Sequence, residues 1–398
     1  MKINEPLGRG ASQAAGLPVL RLGFRPFYLG GALFGLVAVA LWLSALRGHG
    51  AAGHAARMSG VVWHVHEMLF GFVAAIVVGF LLTAVRAWTS RPTPTGAALG
   101  GLWLLWAVGR VLVWTGPSLA AAVVDVAFLP IVAVVLLRVL IAAKNRHNIF
   151  LPVALGLFGL LNALFHWYAW EGRFDLALRV AYATTGLVIM FISVIAGRVV
   201  PMFTTNAIPG FTVKRWKFVD AWAAPAPLIT LAADALGAPA LIVAACAAAT
   251  AALHAVRIVG WRSWRVGPRP ILWVLHAACG WIPVGFALLA GAALGILSHS
   301  LAIHALTVGA MGGAIIAMIT RTALGHTGRM LIAGRFEIAS YWLMIVAALA
   351  RVFGPLVFPD ASAVWMDIAG GAWCAALVVY LIRYAPYLSM PRIDGKPG

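Results

Sequence analysis

The sequence predicts an all-α polytopic membrane protein, a bundle of about twelve transmembrane helices with both termini cytoplasmic. Three observations predict it. The 398-residue chain is 63% hydrophobic and only 10% charged, with a mean hydropathy of +0.96, whereas soluble domains carry about 25% charged residues. Apolar runs of about 20 residues, enough to cross about 30 Å of hydrocarbon, recur from end to end. The basic residues collect on alternate connections between those runs, the asymmetry that orients membrane proteins.

Taken in order, the runs place helices at about 25–46, 61–85, 97–115, 118–142, 149–170, 177–200, 219–236, 238–258, 270–295, 299–320, 337–357 and 363–385. Pro and Gly punctuate the connections: Arg91-Pro92-Thr93-Pro94, Gly116-Pro117, Ile208-Pro209-Gly210, Gly267-Pro268-Arg269-Pro270 and Phe358-Pro359. Several connections are only a few residues long, which forces antiparallel neighbours. No soluble domain is evident. Residues 1–24 form a cytoplasmic segment, 25–385 the bundle and 386–398 a cytoplasmic tail, in one transmembrane domain. The first 24 residues hold Lys2, Arg9 and Arg21 but no apolar core of a cleaved signal, so the first helix serves as an uncleaved one. Cys246, Cys279 and Cys374 lie in apolar runs without paired spacing and read as packing residues.

A formal charge of +18 would suit a nucleic-acid partner, but its confinement to connections assigns it to topology and excludes that class. One set of connections is basic throughout, from Arg21 and Arg25 to Lys144 and Arg146, then Arg257 to Arg269, then Arg383 and Arg392. The opposite set holds only Arg47, Arg57, Arg173, Arg179 and Arg351. Arg110 lies inside the third helix, where a charge needs a partner; Asp125 on the fourth is a candidate, with a haem propionate as the alternative.

The segment Trp63-His64-Val65-His66-Glu67-Met68 sets two imidazoles and a carboxylate at the mouth of an apolar run. Charged groups there cost roughly 2.5–3.5 kcal/mol each, whereas neutral histidine is cheaper and is a common haem and copper ligand. With the termini inside, His64 and His66 fall in the outer part of the second helix and His299 and His304 in the outer part of the tenth. At about 100° per residue, His64 and His66 point roughly 200° apart and His299 and His304 roughly 140° apart, so one helix cannot aim both at one metal. A bis-histidine haem would take one from each, and His66 with His304 is the favoured pair. His64 and His299 remain for a second centre. Glu67 and Met68 share the face of His64, Glu67 as its pairing partner and Met68 as a soft copper ligand. His166, beside Trp167, Tyr168 and Trp170, reads as part of an interfacial belt. His49, His54 and His147 read as interfacial residues, and His254 and His276 as inner-face residues.

Polar stretches leave the sixth and tenth helices, Gly197 to Ala207 and Thr320 to Arg329; positive-inside anchoring explains Arg198 and Arg321 better than anion binding by these two and His326. These stretches, together with Phe24-Arg25-Pro26-Phe27, Trp63 to Gly71, Gly79 to Val85 with Trp88-Thr89, and His304 to Gly312, resemble the NnrS family in order along the chain. The resemblance implies a bacterial inner-membrane protein of twelve helices that contains haem, of b type, and copper, and is linked to nitric oxide, nitrosative stress and denitrification. It would make nitric oxide or a nitrosyl species a ligand and a respiratory-chain protein a partner, beside the lipid bilayer. No His-x-x-x-His on the sixth helix and no His-His pair on the seventh supply the three-histidine copper site of haem–copper oxidases. Two other classes compete: a transporter of a metal or small molecule, and an assembly factor for a respiratory complex.

Overall fold

Thirteen helices build the computed structural model, which describes residues 16–49, 58, 60–115 and 119–396; no strand occurs among the described residues. They are α1 (Phe24–Leu46), α2 (Val61–Thr89), α3 (Gly96–Thr115), α4 (Leu119–Ala142), α5 (Phe150–Trp170), α6 (Phe174–Ala207), α7 (Lys217–Ala223), α8 (Ala226–Ala235), α9 (Ala240–Gly260), α10 (Pro270–Ala293), α11 (His299–His326), α12 (Arg335–Val357) and α13 (Ser362–Ser389). Eleven are long and apolar enough to cross a membrane, so the chain is an all-α, multi-pass membrane protein. The seventh expected segment, 219–236, is instead the short pair α7 and α8. Pro225 and Pro227 remove two backbone donors where one continuous helix would need them. Lys2, Arg9, His54, Arg57 and the Gly116-Pro117 turn lie outside the described residues.

The two polar stretches expected to leave their helices are in fact helical. α6 runs 34 residues, through Pro201 to Ala207, and α11 continues to His326. Hydroxyls support both ends: Thr204 Oγ1 donates to the Val200 carbonyl and Thr205 Oγ1 to that of Pro201, and Thr327 Oγ1 donates to that of Ala323. Such back-bonding suits helix ends that carry polar side chains.

Two helices change gauge partway. α2 is π-helical over Glu67–Val73, and α11 over Ala305–Gly312. Each widened stretch begins at the residue after a histidine, His66 or His304. π-Segments are rare and concentrate at functional sites.

The chain folds as two compact units. Unit one comprises Met1–Ala181, Ile319–Leu331 and Tyr380–Gly398; unit two comprises Tyr182–Met318 and Ile332–Val379. In unit one, α5 shows how sequence pattern becomes packing. Val153, Leu157, Leu160 and Leu164 form an exposed stripe at helical spacing, while Leu155, Phe158, Asn162, Phe165 and His166 form the buried face. The apolar stripe suits contact with lipid, and the polar residues point inward, where they must find partners.

Candidate metal centre

Those partners come from α2, α3 and α4. Arg110, Glu67, Asp125, His66, Asn162 and His166 meet in the interior of unit one, none more than 7% exposed. His66 donates its Nδ1 proton to Glu67 Oε1 at 2.7 Å. Its Nε2 lies 3.0 Å from Asn162 Oδ1 and 3.2 Å from Asp125 Oδ2. Asn162 Nδ2 donates to the same Asp125 oxygen at 2.8 Å, and His166 Nε2 lies 2.9 Å from it. Arg110 spans the two carboxylates, with Nη1 2.7 Å from Glu67 Oε1 and Nη2 against Asp125 Oδ1. Arg110 thus has the Asp125 partner expected for it, and Glu67 as a second.

Local packing makes the meeting geometrically feasible. The widened turn of α2 directs the Gly71 carbonyl to Trp106 Nε1 of α3, at 3.0 Å. Gly71 also leaves room for Arg110: a Cβ there would stand 3.0 Å from Nη1 and 2.6 Å from the Phe34 ring. Phe70 and Phe165 enclose His66, each with its ring centroid 5.2 Å from the imidazole. Glu67 pairs with His66 rather than with His64, as its spacing from His64 had suggested. His64 lies on the other side of α2, stacked on Trp42 at 4.9 Å.

Two features of this network are compatible with a bound cation. Glu67 and Asp125 bring two negative charges against the single positive charge of Arg110, in a segment where an uncompensated charge costs several kcal/mol. His66 meets acceptor oxygens at both ring nitrogens, an arrangement completed either by the imidazolium form, which donates from both, or by a bound cation at Nε2. One donor atom each from His66, Asp125 and His166 lies within 4.8 Å of the others. Two imidazoles and a carboxylate suit zinc, copper or iron. Glu67 on Nδ1 of His66 and Arg110 on Oδ1 of Asp125 are the outer contacts that orient metal ligands.

The remaining candidate residues of α11 lie in unit two. His299 Nε2 is 2.8 Å from Asp234 Oδ2, and its ring lies 4.5 Å from that of Tyr182. His304 donates Nδ1–H to the Ser300 carbonyl at 2.7 Å, which leaves Nε2 as its basic nitrogen. Both are only partly buried. Met68 is half-buried in the first turn of the widened stretch of α2. His276 is held between Thr204 Oγ1 at 3.0 Å and Ser263 Oγ at 2.7 Å, a satisfied core histidine. Gly197 leaves space for Arg257, which bonds Ser193 and Asp220.

A sequence profile described as NnrS protein matches residues 18–392, nearly the whole chain. The chain belongs to the NnrS family. No individually curated protein matches it. The two widened stretches of this NnrS-family chain overlap the segments that carried the resemblance: Glu67–Val73 begins within Trp63 to Gly71, and Ala305–Gly312 lies within His304 to Gly312. Sequence reasoning missed Asn162 and His166 as parts of one site. The signal was their four-residue spacing, which sets both on one helix face opposite the apolar stripe.

Proposed function

We propose that this NnrS-type membrane protein is a metalloprotein of the bacterial inner membrane that serves in resistance to nitric oxide and nitrosative stress. His66, Asp125 and His166 hold a metal ion, with copper the expected occupant, and a b-type haem takes either His304 or His299 as an axial ligand. The observation that carries this reading is the sealed meeting of His66, Asp125 and His166, whose donor atoms lie within 4.8 Å of one another. Bound there, a metal would supply Lewis acidity or one-electron chemistry. The chain's own residues orient the ligands: Glu67 fixes the tautomer of His66, and Arg110 turns Oδ2 of Asp125 toward the histidines.

A second reading makes His66 and His304 each a haem ligand. It is supported by the widened stretch that follows each of these two histidines. It requires His66 Nε2 to leave Asn162 and Asp125. Metal analysis together with a pyridine haemochrome spectrum on detergent-purified protein separates the readings. A bare ion lost in Asp125→Asn with haem retained supports the first; haem lost in both His66→Ala and His304→Ala supports the second. Purified protein with neither haem nor metal, after both are supplied during expression, would refute both. For the role itself, cells lacking the protein should be more sensitive to a nitric oxide donor, and the Asp125→Asn chain should fail to restore growth.

A further inference from the structure

A different cluster of charge in unit one joins the first turn of α1 to the end of α13. Arg25 is wholly buried. Its Nη1 donates to the carbonyls of Leu388 at 3.0 Å, Met390 at 2.8 Å and Tyr387 at 3.4 Å, so one nitrogen caps the last turn of α13. Its Nε and Nη2 are closed in and have no hydrogen-bond partner among the described residues. The charges of Arg21, Arg329 and Arg392 all act on it. The Arg329 guanidinium lies 3.5 Å over the Tyr387 ring. Asp394 accepts from Arg392 through both Nε, at 2.9 Å, and Nη2, at 2.8 Å, and from the Lys396 N–H at 3.3 Å, so Arg392 is already paired.

Arginines that only set topology stand apart in solvated connections and need no enclosure. Arg25 instead lies in the first turn of a helix, with two unused donors and the charges of Arg21 and Arg329 acting on it. Like charges held this close repel, and an oxyanion among them removes the repulsion and uses the donors. The guanidinium fork matches phosphate oxygens in particular, and helix ends of a membrane protein lie at headgroup depth, where basic pockets take anionic lipids. We propose that Arg25, Arg329 and Arg21 form a binding site for a phosphate oxyanion, supplied by an anionic lipid headgroup or by free phosphate. Tyr387 holds the Arg329 guanidinium in place through its ring face.

The test is thermal unfolding of the full-length protein in a neutral detergent. The probes are phosphatidylglycerol, phosphatidylcholine, and inorganic phosphate against chloride at equal ionic strength. Phosphatidylglycerol is expected to raise the melting temperature by several degrees and phosphatidylcholine not to. Arg329→Gln and Arg21→Gln should each lose at least half of the rise, while Lys144→Gln, an exposed cation in another connection, should keep it. Arg25→Gln should lose all of it; if that chain does not fold, the other two variants decide. A rise with inorganic phosphate that phosphatidylglycerol does not exceed keeps the site and makes free phosphate its ligand. No rise with either probe, or an equal rise in Arg329→Gln, Arg21→Gln and wild type, would overturn the site.

Discussion

The two units each carry a helix that widens just after a histidine, yet they treat that histidine in opposite ways. In unit one, His66 is sealed, and both ring nitrogens face polar groups drawn from α2, α4 and α5. In unit two, His304 bonds within its own helix and His299 bonds one carboxylate, both partly exposed. A sealed network of carboxylates and imidazoles has the donors and the dimensions to suit a small cation. Partly exposed histidines suit a larger ligand that approaches from outside the helix. The widened helix is therefore shared, and the surroundings decide what each histidine can hold.

The largest effect should come from the one cation of the sealed network. Arg110→Met leaves Glu67 and Asp125 uncompensated, and breaking a buried pair costs about 3–5 kcal/mol. Folded yield and melting temperature in detergent should fall sharply; unchanged stability would mean that the carboxylates are already neutral. Next come the glycines that admit the large side chains. Gly71→Ala crowds Phe34 and Arg110, and Gly309→Ala crowds Trp281 at 2.5 Å. Each should cost about 1–3 kcal/mol by overpacking, but only Gly71→Ala should also disturb the sealed network. Equal metal content in the two variants would weaken the contrast between units.

His299→Ala tests the open side. Its pair with Asp234 is partly exposed, so stability should change by only about 0–1 kcal/mol, while haem content should fall. A collapse in stability would place this histidine in the same class as His66. The smallest effect concerns Asp394, outside the spans. The hydrogen bond from Arg392, followed by the nearby positive charges, holds its carboxyl down at about 2. Its contribution is present above the ordinary aspartate value and is lost as pH falls toward 2. Asp394 is largely exposed, so Asp394→Asn should shift the melting temperature barely measurably at pH 7, and less still at pH 2.

Much of this was legible in the sequence, because a bilayer imposes simple rules. Runs of apolar residues fix the helices, and a lone charge such as Arg110 must find a partner such as Asp125. Other features depend on backbone detail that hydropathy does not carry. Pro225 divides one expected helix, whereas Pro201 lies within a continuous one; the difference lies in neighbours such as Thr204 and Thr205 that support the turn. The widened stretches leave no mark in composition. His166 was read with Trp167, Tyr168 and Trp170 as an interfacial belt, yet it turns inward with Asn162 while Trp167 turns outward. Chain neighbours on a helix point about 100° apart, so the company His166 keeps in sequence said little about its environment.

His166 also gives the most direct measurement. Metal content per chain and haem content should be determined on the purified wild type and His166→Ala in parallel. If His66, Asp125 and His166 hold an ion, the wild type should carry about one metal per chain, and His166→Ala should lose at least about tenfold in metal affinity, as loss of a ligand entails, with haem unchanged. A wild type without metal, or a His166→Ala chain that binds it as well as the wild type, would contradict a metal centre here.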